Sequence, residues 1–153
     1  MPTDCKYIRV GFTGTRDGLT QIQAFKLSHW IWDHYEVITQ WRHGCCLGAD
    51  TEGVILADKL LPLVCIIAHP PQLLGFYSGI AASYSAIELP PKPYLDRNKD
   101  IVDACDWLVV CPKTIEESTR GGTWWTYRYA RDSNKTTVII QPDGGIKTMY
   151  SRD

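Results

Sequence analysis

Four short stretches of the 153-residue chain gather glycine, hydroxyl and cationic side chains in a way that suits an anion. The first reads Gly11-Phe12-Thr13-Gly14-Thr15-Arg16-Asp17-Gly18. Gly14 and Gly18 permit sharp turns, Thr13 and Thr15 offer hydroxyls, and Arg16 brings a guanidinium fork that matches phosphate or carboxylate. The spacing is neither G-x-G-x-x-G nor G-x-x-x-x-G-K-S/T, so ordinary dinucleotide binding and P-loop hydrolysis lack support. The second stretch, Gly44-Cys45-Cys46-Leu47-Gly48-Ala49-Asp50, runs into a helix. Small residues there let a ligand reach the free N–H groups of a helix N-terminus, while Asp50 either accepts from a ribose hydroxyl or caps the helix.

The third stretch is Pro93-Tyr94-Leu95-Asp96-Arg97-Asn98-Lys99-Asp100-Ile101-Val102. Helical spacing puts Asn98 on the same face as Ile101, Val102 and Cys105, and an amide on an inward stripe must find partners. Arg97, one place round, turns to the same crevice or to solvent. The fourth is Arg120-Gly121-Gly122-Thr123-Trp124-Trp125-Thr126-Tyr127-Arg128. Two glycines and a threonine opening a helix make an anion nest, with Arg120 beside it. Trp124, Trp125, Tyr127 and Tyr129 cannot all face a sheet, so at least one is expected to meet a base, another subunit or the segment from Pro70 to Pro93.

Acid–base candidates are fewer. Glu116 and Glu117 follow a strand in a loop that would border the cleft, and a carboxylate near an anomeric carbon serves glycosidic cleavage as nucleophile or stabiliser. These two are the candidate catalytic pair, with Asp17 and Asp50 in the first two loops. His69, before Pro70-Pro71, would bond a ligand or act as a base. With no Ser or Cys on an elbow, a hydrolase triad is unsupported.

The elements that must hold these groups follow from periodicity. Strand-like runs cover Tyr7 to Phe12, Trp41 to Cys46, Leu63 to Ala68, Trp107 to Cys111 and Thr136 to Ile140. Several are continuously apolar, as strands covered on both faces are. Thr20 with Gln23 forms a capping box for a first helix whose buried stripe is Leu27, Trp30, Ile31, His34 and Ile38. Asp50 or Thr51 caps a second helix, striped by Val54, Ala57, Leu60 and Leu61 and ended by Pro62. A third follows Asp96, with Ile101, Val102, Ala104 and Cys105 inward, and a fourth runs from about Thr123 to about Ser133. Between Pro70 and Pro93 a short helix is expected over Ser78 to Ile87. This order describes one three-layer α/β domain, with function in the loops at the carboxyl ends of the strands.

Composition narrows the partners. Lys and Arg total 16 against 17 Asp and Glu, a formal charge of −1, so any nucleic-acid site must be local rather than a basic surface. Hydrophobic residues at 44% and charged residues at 22% are those of ordinary globular domains. No apolar run approaches the ~20 residues of a membrane span. The opening Met1 to Lys6 passes into a strand-like run without a signal-peptide core, so the expected compartment is the cytoplasm. Cysteines at 5, 45, 46, 65, 105 and 111 show no C-x-x-C spacing, and no His lies at ligand spacing from a pair; they read as buried thiols, with no metal, no cofactor and no disulfide implied.

Thr13 to Arg16, Gly44 to Asp50, Tyr94 to Val102 and Gly121 to Thr126, in this order after these strands, resemble the SLOG-type Rossmann-like superfamily. That superfamily joins DNA-processing protein A (Smf) with the lysine-decarboxylase-like "lonely guy" proteins, and the resemblance covers about residues 5 to 145. Gly14-Thr15-Arg16, Gly48 to Asp50, Arg97 to Ile101 and Gly121 to Tyr127 look closer to the DNA-processing branch, with Lys99 standing where that branch has a second Arg. Against the "lonely guy" motif P-G-G-x-G-T-x-x-E, Gly122-Thr123 matches Gly-Thr and Thr126 falls at the catalytic Glu, which counts against hydrolysis by that route. The resemblance implies one Rossmann-like domain over residues 1 to 153, with a five-stranded, mainly parallel sheet in the order 3-2-1-4-5. It implies a crevice at the carboxyl edge for a nucleotide or nucleotide-like phosphate, lined from Gly14, Thr15, Arg16, Gly48, Asp50, His69, Arg97, Asn98, Arg120, Gly121, Gly122, Thr123 and Thr126. The expected function is binding or sensing of that ligand. The alternatives are a nucleotide N-glycosidic hydrolase or transferase, and single-stranded DNA binding by a homo-oligomer.

Overall fold

A computed structural model describes residues 7–152. Strands β1 (Ile8–Gly14), β2 (Ile38–His43), β3 (Cys65–Ala68), β4 (Ile87–Glu88), β5 (Trp107–Cys111), β6 (Thr136–Ile140) and β7 (Ile146–Met149) form one sheet. Its order is β4-β3-β2-β1-β5-β6-β7, parallel throughout except for the antiparallel β6–β7 pair. Helices α1 (Gln21–Asp33), α2 (Ala49–Leu60), α3 (Gly79–Ser83), α4 (Tyr94–Ala104) and α5 (Gly122–Asp132) connect them.

Side-chain alternation along the strands divides the core in two. Val109 and Cys111 of β5 join Leu27, Ile31, Val54 and Ala57 of α1 and α2. Leu108 and Val110, pointing the other way, join Ile101, Val102, Trp124 and Tyr127 of α4 and α5. Period-two alternation on a strand buried on both sides requires this division.

The expected five-stranded sheet in the order 3-2-1-4-5 is corrected: the sheet is seven-stranded and mixed, with β4 and β7 at its two edges. Strand β4 is two residues long, too short to show alternation, and it takes Ile87 out of the helix expected to end there. The helix in that segment covers only Gly79–Ser83, capped by Ser78. Strand β7 returns on β6 through the turn at Pro142 to Gly145, with Gly144 at φ 91°. Strand β2 begins at Ile38, a residue whose spacing had placed it on the first helix. Helix α4 begins at Tyr94, before Asp96, and α2 is capped by Gly48 rather than Asp50 or Thr51. The Thr20–Gln23 capping box is present in both directions. Cys45, Cys46, Cys105 and Cys111 are buried free thiols, Cys65 is a partly buried one, and Cys5 lies outside the described residues. No helix among the described residues is long and apolar enough to cross a membrane.

Candidate functional site

Strands β1 and β5 are parallel neighbours whose following helices lie on opposite faces, and a crevice opens beyond their carboxyl ends. In open α/β sheets this is where ligands bind. One wall is the loop after β1. Thr15 N–H donates to Cys111 O (3.1 Å), and Thr15 O accepts from Ala49 N–H (2.9 Å), which fastens the loop to β5 and to the start of α2. Thr15 Oγ1 is used locally, accepting from Asp17 N–H at 3.1 Å. Arg16 stands out from this loop and takes no hydrogen bond or ion pair among the described residues. Its guanidinium lies 3.7 Å from the Phe76 ring centre and 5.2 Å from that of Tyr94.

The opposite wall is the segment from Lys113 to Trp124. Gly121, at φ 90°, opens α5 without a side-chain cap, so the first N–H groups of the helix are left for an outside acceptor. Gly122 packs under the Tyr94 hydroxyl so closely that a Cβ there would overlap it. Together these walls enclose a cleft of about 320 Å³. Its cations are Arg16, Lys113 and Arg120, and no carboxylate lines it. Lys113 is shared with the exposed Asp17 at 2.6 Å. Hydroxyls of Thr114, Ser118 and Thr123 complete the lining.

Behind Arg16 and Tyr94 lies a second, smaller polar chamber reached by Gly44, Asp50, Arg97 and Asn98. Arg97 is buried, and it pins two strand ends: its Nη1 donates to Gly44 O after β2 and, at 3.1 Å, to His69 O after β3. Its face lies 5.0 Å from the Tyr94 ring centre, and its Nε has no partner. Asp50 turns back from the first turn of α2 to accept from Cys46 N–H at 3.2 Å. Burial pushes the Asp50 carboxyl up to about 6 against the opposing pull of the Arg97 charge.

The structure therefore brings Gly14, Thr15, Arg16, Arg120, Gly121, Gly122 and Thr123 onto one cleft, and Asp50, Arg97 and Asn98 onto the adjoining chamber. Other expected residues go elsewhere. Gly48 is packed against the Arg16 backbone. Thr126 is buried and donates to Gly122 O of its own helix at 2.7 Å. His69 sits in a separate recess with Lys92 and Asp100, its Nε2 3.1 Å from Arg42 Nη1, and burial holds it down to about 4. Glu116 and Glu117 are exposed outside the cleft lining, and Glu117 pairs with Arg128 at 3.1 Å.

Trp124 and Tyr127 are core residues, while Trp125 stacks on Tyr129, whose hydroxyl bonds Asp103. Arg16, through Phe76, reaches the Pro70–Pro93 segment. Sequence reasoning missed Tyr94, Lys113, Thr114 and Ser118. Lys113 carried a usable signal, a cation placed two residues past a strand end. Tyr94 carried none, since its role comes from contacts with residues far away in the chain.

No family model and no curated protein matches the chain. Solved structures do match. The molybdenum cofactor binding protein from the phototrophic bacterium Rippkaea orientalis superposes with a TM-score of 0.63 at 15% identity, over 89% of this chain and 77% of that one. A structural-genomics target, TM1055, gives 0.57 at 11% identity, over 84% of this chain and 71% of that one. DNA processing protein A from Helicobacter pylori, described for its binding of single-stranded DNA, gives 0.57 at 16% identity, over 90% of this chain and 68% of that one. At such identities the likeness is one of fold alone: the chain shares the α/β architecture of these three structures.

Proposed function

We propose that the chain binds or senses a nucleotide or nucleotide-derived phosphate in the crevice beyond β1 and β5. The observation that carries this reading is the open N-terminus of α5 facing Arg16, Lys113 and Arg120 in a cleft without a carboxylate. Unpaired helix N–H groups and the helix field stabilise an anion by about 0.3–1 kcal/mol, and each charge-assisted hydrogen bond adds about 1.5–3 kcal/mol. Arg16 is the strongest contributor, because no carboxylate among the described residues competes for it. The apolar recess on its other side, formed by Pro71, Leu73, Phe76 and Pro93, gives room for a base.

Calorimetric titration with a panel of nucleoside monophosphates tests the reading. At least one should bind, and Arg16→Ala should weaken it by about 10- to 100-fold, the equivalent of one charge-assisted bond. Equal inertness of both proteins would remove the proposal.

A terminal phosphate of a short single strand is the second reading, favoured by the likeness to the Helicobacter pylori protein. The N-glycosidic alternative has less support: Glu116 and Glu117 stand outside the cleft, and Thr126 spends its hydroxyl on Gly122.

A further inference from the structure

The chamber behind Arg16 and Tyr94 contains more hydrogen-bonding capacity than the protein itself uses. Asn98 is only 4% exposed and lines the chamber, and its side-chain amide has no protein hydrogen-bond partner among the described residues. An amide brings two donors and an acceptor, and here the residue that carries them lines a small polar void. Thr13, on the strand face that looks toward α4, is also buried with its hydroxyl unused. Asp50, which accepts from the backbone of Cys46 and of Gly44, lines the same chamber. Arg97 Nε is unpaired as well.

These groups surround a void of about 20 Å³, room for one water-sized group. Donors and acceptors are both present, the inner Arg97 charge faces the Asp50 carboxylate, and the void is too small for a phosphate. The chemistry therefore suits a neutral group that both donates and accepts, not a second phosphate. A hydroxyl has that character and that size.

The chamber also adjoins the anion cleft. Gly14, Arg16 and Tyr94 line both. Arg16 is exposed and unpaired, and the Tyr94 hydroxyl makes no hydrogen bond among the described residues, so nothing polar holds this partition shut.

We propose that the chamber reads a sugar hydroxyl of the ligand whose phosphate sits at α5, which makes that ligand a ribose phosphate rather than a deoxyribose phosphate. The inference rests on the phosphate reading above and adds to it the class of sugar. The Asp50 carboxylate would accept from the hydroxyl, the Asn98 amide would donate to it, and Thr13 would supply a third partner. A ligand without the hydroxyl would leave these groups buried and unpaired, which is how a site built for a hydroxyl rejects its deoxy analogue.

Titration of the wild-type protein, followed by NMR, tests this with five probes: inorganic phosphate, ribose 5-phosphate, 2-deoxyribose 5-phosphate, AMP and 3′-deoxy-AMP. Removal of one of the two hydroxyls should weaken binding by about 10- to 100-fold, and Asn98→Ala and the isosteric Asp50→Asn should bring that ratio toward one. Because the first comparison needs no variant, a folding defect in either variant leaves the test intact. Equal binding of the ribose and both deoxy forms, with phosphate still bound, overturns the hydroxyl subsite and spares the phosphate site. Failure of every probe, inorganic phosphate included, overturns both.

Discussion

Helices α2 and α5 begin alike. Each starts on a glycine at positive φ, 86° at Gly48 and 90° at Gly121, and neither has a side-chain cap. Only one of them is open. At α2 the Ala49 N–H donates to Thr15 O, Asp50 folds back onto Cys46, and the Arg16 backbone presses on Gly48. At α5 nothing lies within 4 Å of where a Cβ on Gly121 would stand. A glycine-initiated helix is therefore a poor signal for an anion site by itself. What decides is whether the protein's own acceptors already occupy the first turn.

The strongest way to break this comparison is to add a methyl group to each glycine. Both backbones lie where a side chain costs about 1–3 kcal/mol. Gly48→Ala adds an overlap with the Arg16 backbone, which cannot move aside as a side-chain tip would, so it should cost more than about 3 kcal/mol or prevent folding. Gly121→Ala should cost only the backbone strain, about 1–3 kcal/mol. Urea unfolding of the two variants reads the difference, and equal losses would mean that α2 is no more tightly closed than α5.

How much of this could be read beforehand differs element by element. The Thr20–Gln23 box and the Gly121-Gly122-Thr123 helix start were legible because local hydrogen bonding and backbone freedom determine them. Strand β7 is foreshadowed only by the turn dipeptide Asp143-Gly144, since Ile146-Lys147-Thr148-Met149 shows no apolar–polar alternation. The fates of Gly48 and Asp50 were not legible, since either residue could cap, bind or pack until the β1 loop was placed over them. The same holds for Tyr94, whose partners Arg16, Arg97 and Gly122 come from three different elements.

Acidity sharpens the comparison from the closed side. Asp50 ionises near 3.8 when unfolded and near 6 in the fold, chiefly through burial. The folded state thus binds its proton more tightly. Its contribution to stability is present below about pH 3.8 and is lost as the pH rises through about 6. His43 and His69 behave oppositely: burial lowers them from 6.5 to about 3 and about 4, so their contribution is present above 6.5 and lost as the pH falls. For His43 the tautomer is consistent with a neutral ring, since Nδ1 accepts from Cys45 N–H and Nε2 faces Ser85 Oγ at 2.9 Å. Asp50→Asn removes the carboxyl's proton binding and leaves that of the histidines. Relative to wild type, the variant should gain on the order of 2 kcal/mol between pH 4 and pH 7. Urea midpoints across that range check it, and parallel curves would place Asp50 in a wetter setting than its burial implies.

The smallest expected effect concerns the open side. Glu117 meets Arg128 at 3.1 Å, but Arg128 Nη1 also donates to Ser118 O at 2.8 Å within the loop that forms the cleft wall. Both partners of the ion pair are partly exposed, so water and salt screen it and its loss should cost less than about 1 kcal/mol. If the backbone bond to Ser118 holds the loop, Glu117→Ala leaves nucleotide affinity within about two-fold, because Arg128 keeps the contact that matters and gains freedom only at its outer edge. A larger loss would show that the wall near α5 is braced electrostatically from outside, and its openness would then depend on a surface ion pair rather than on the uncapped helix start.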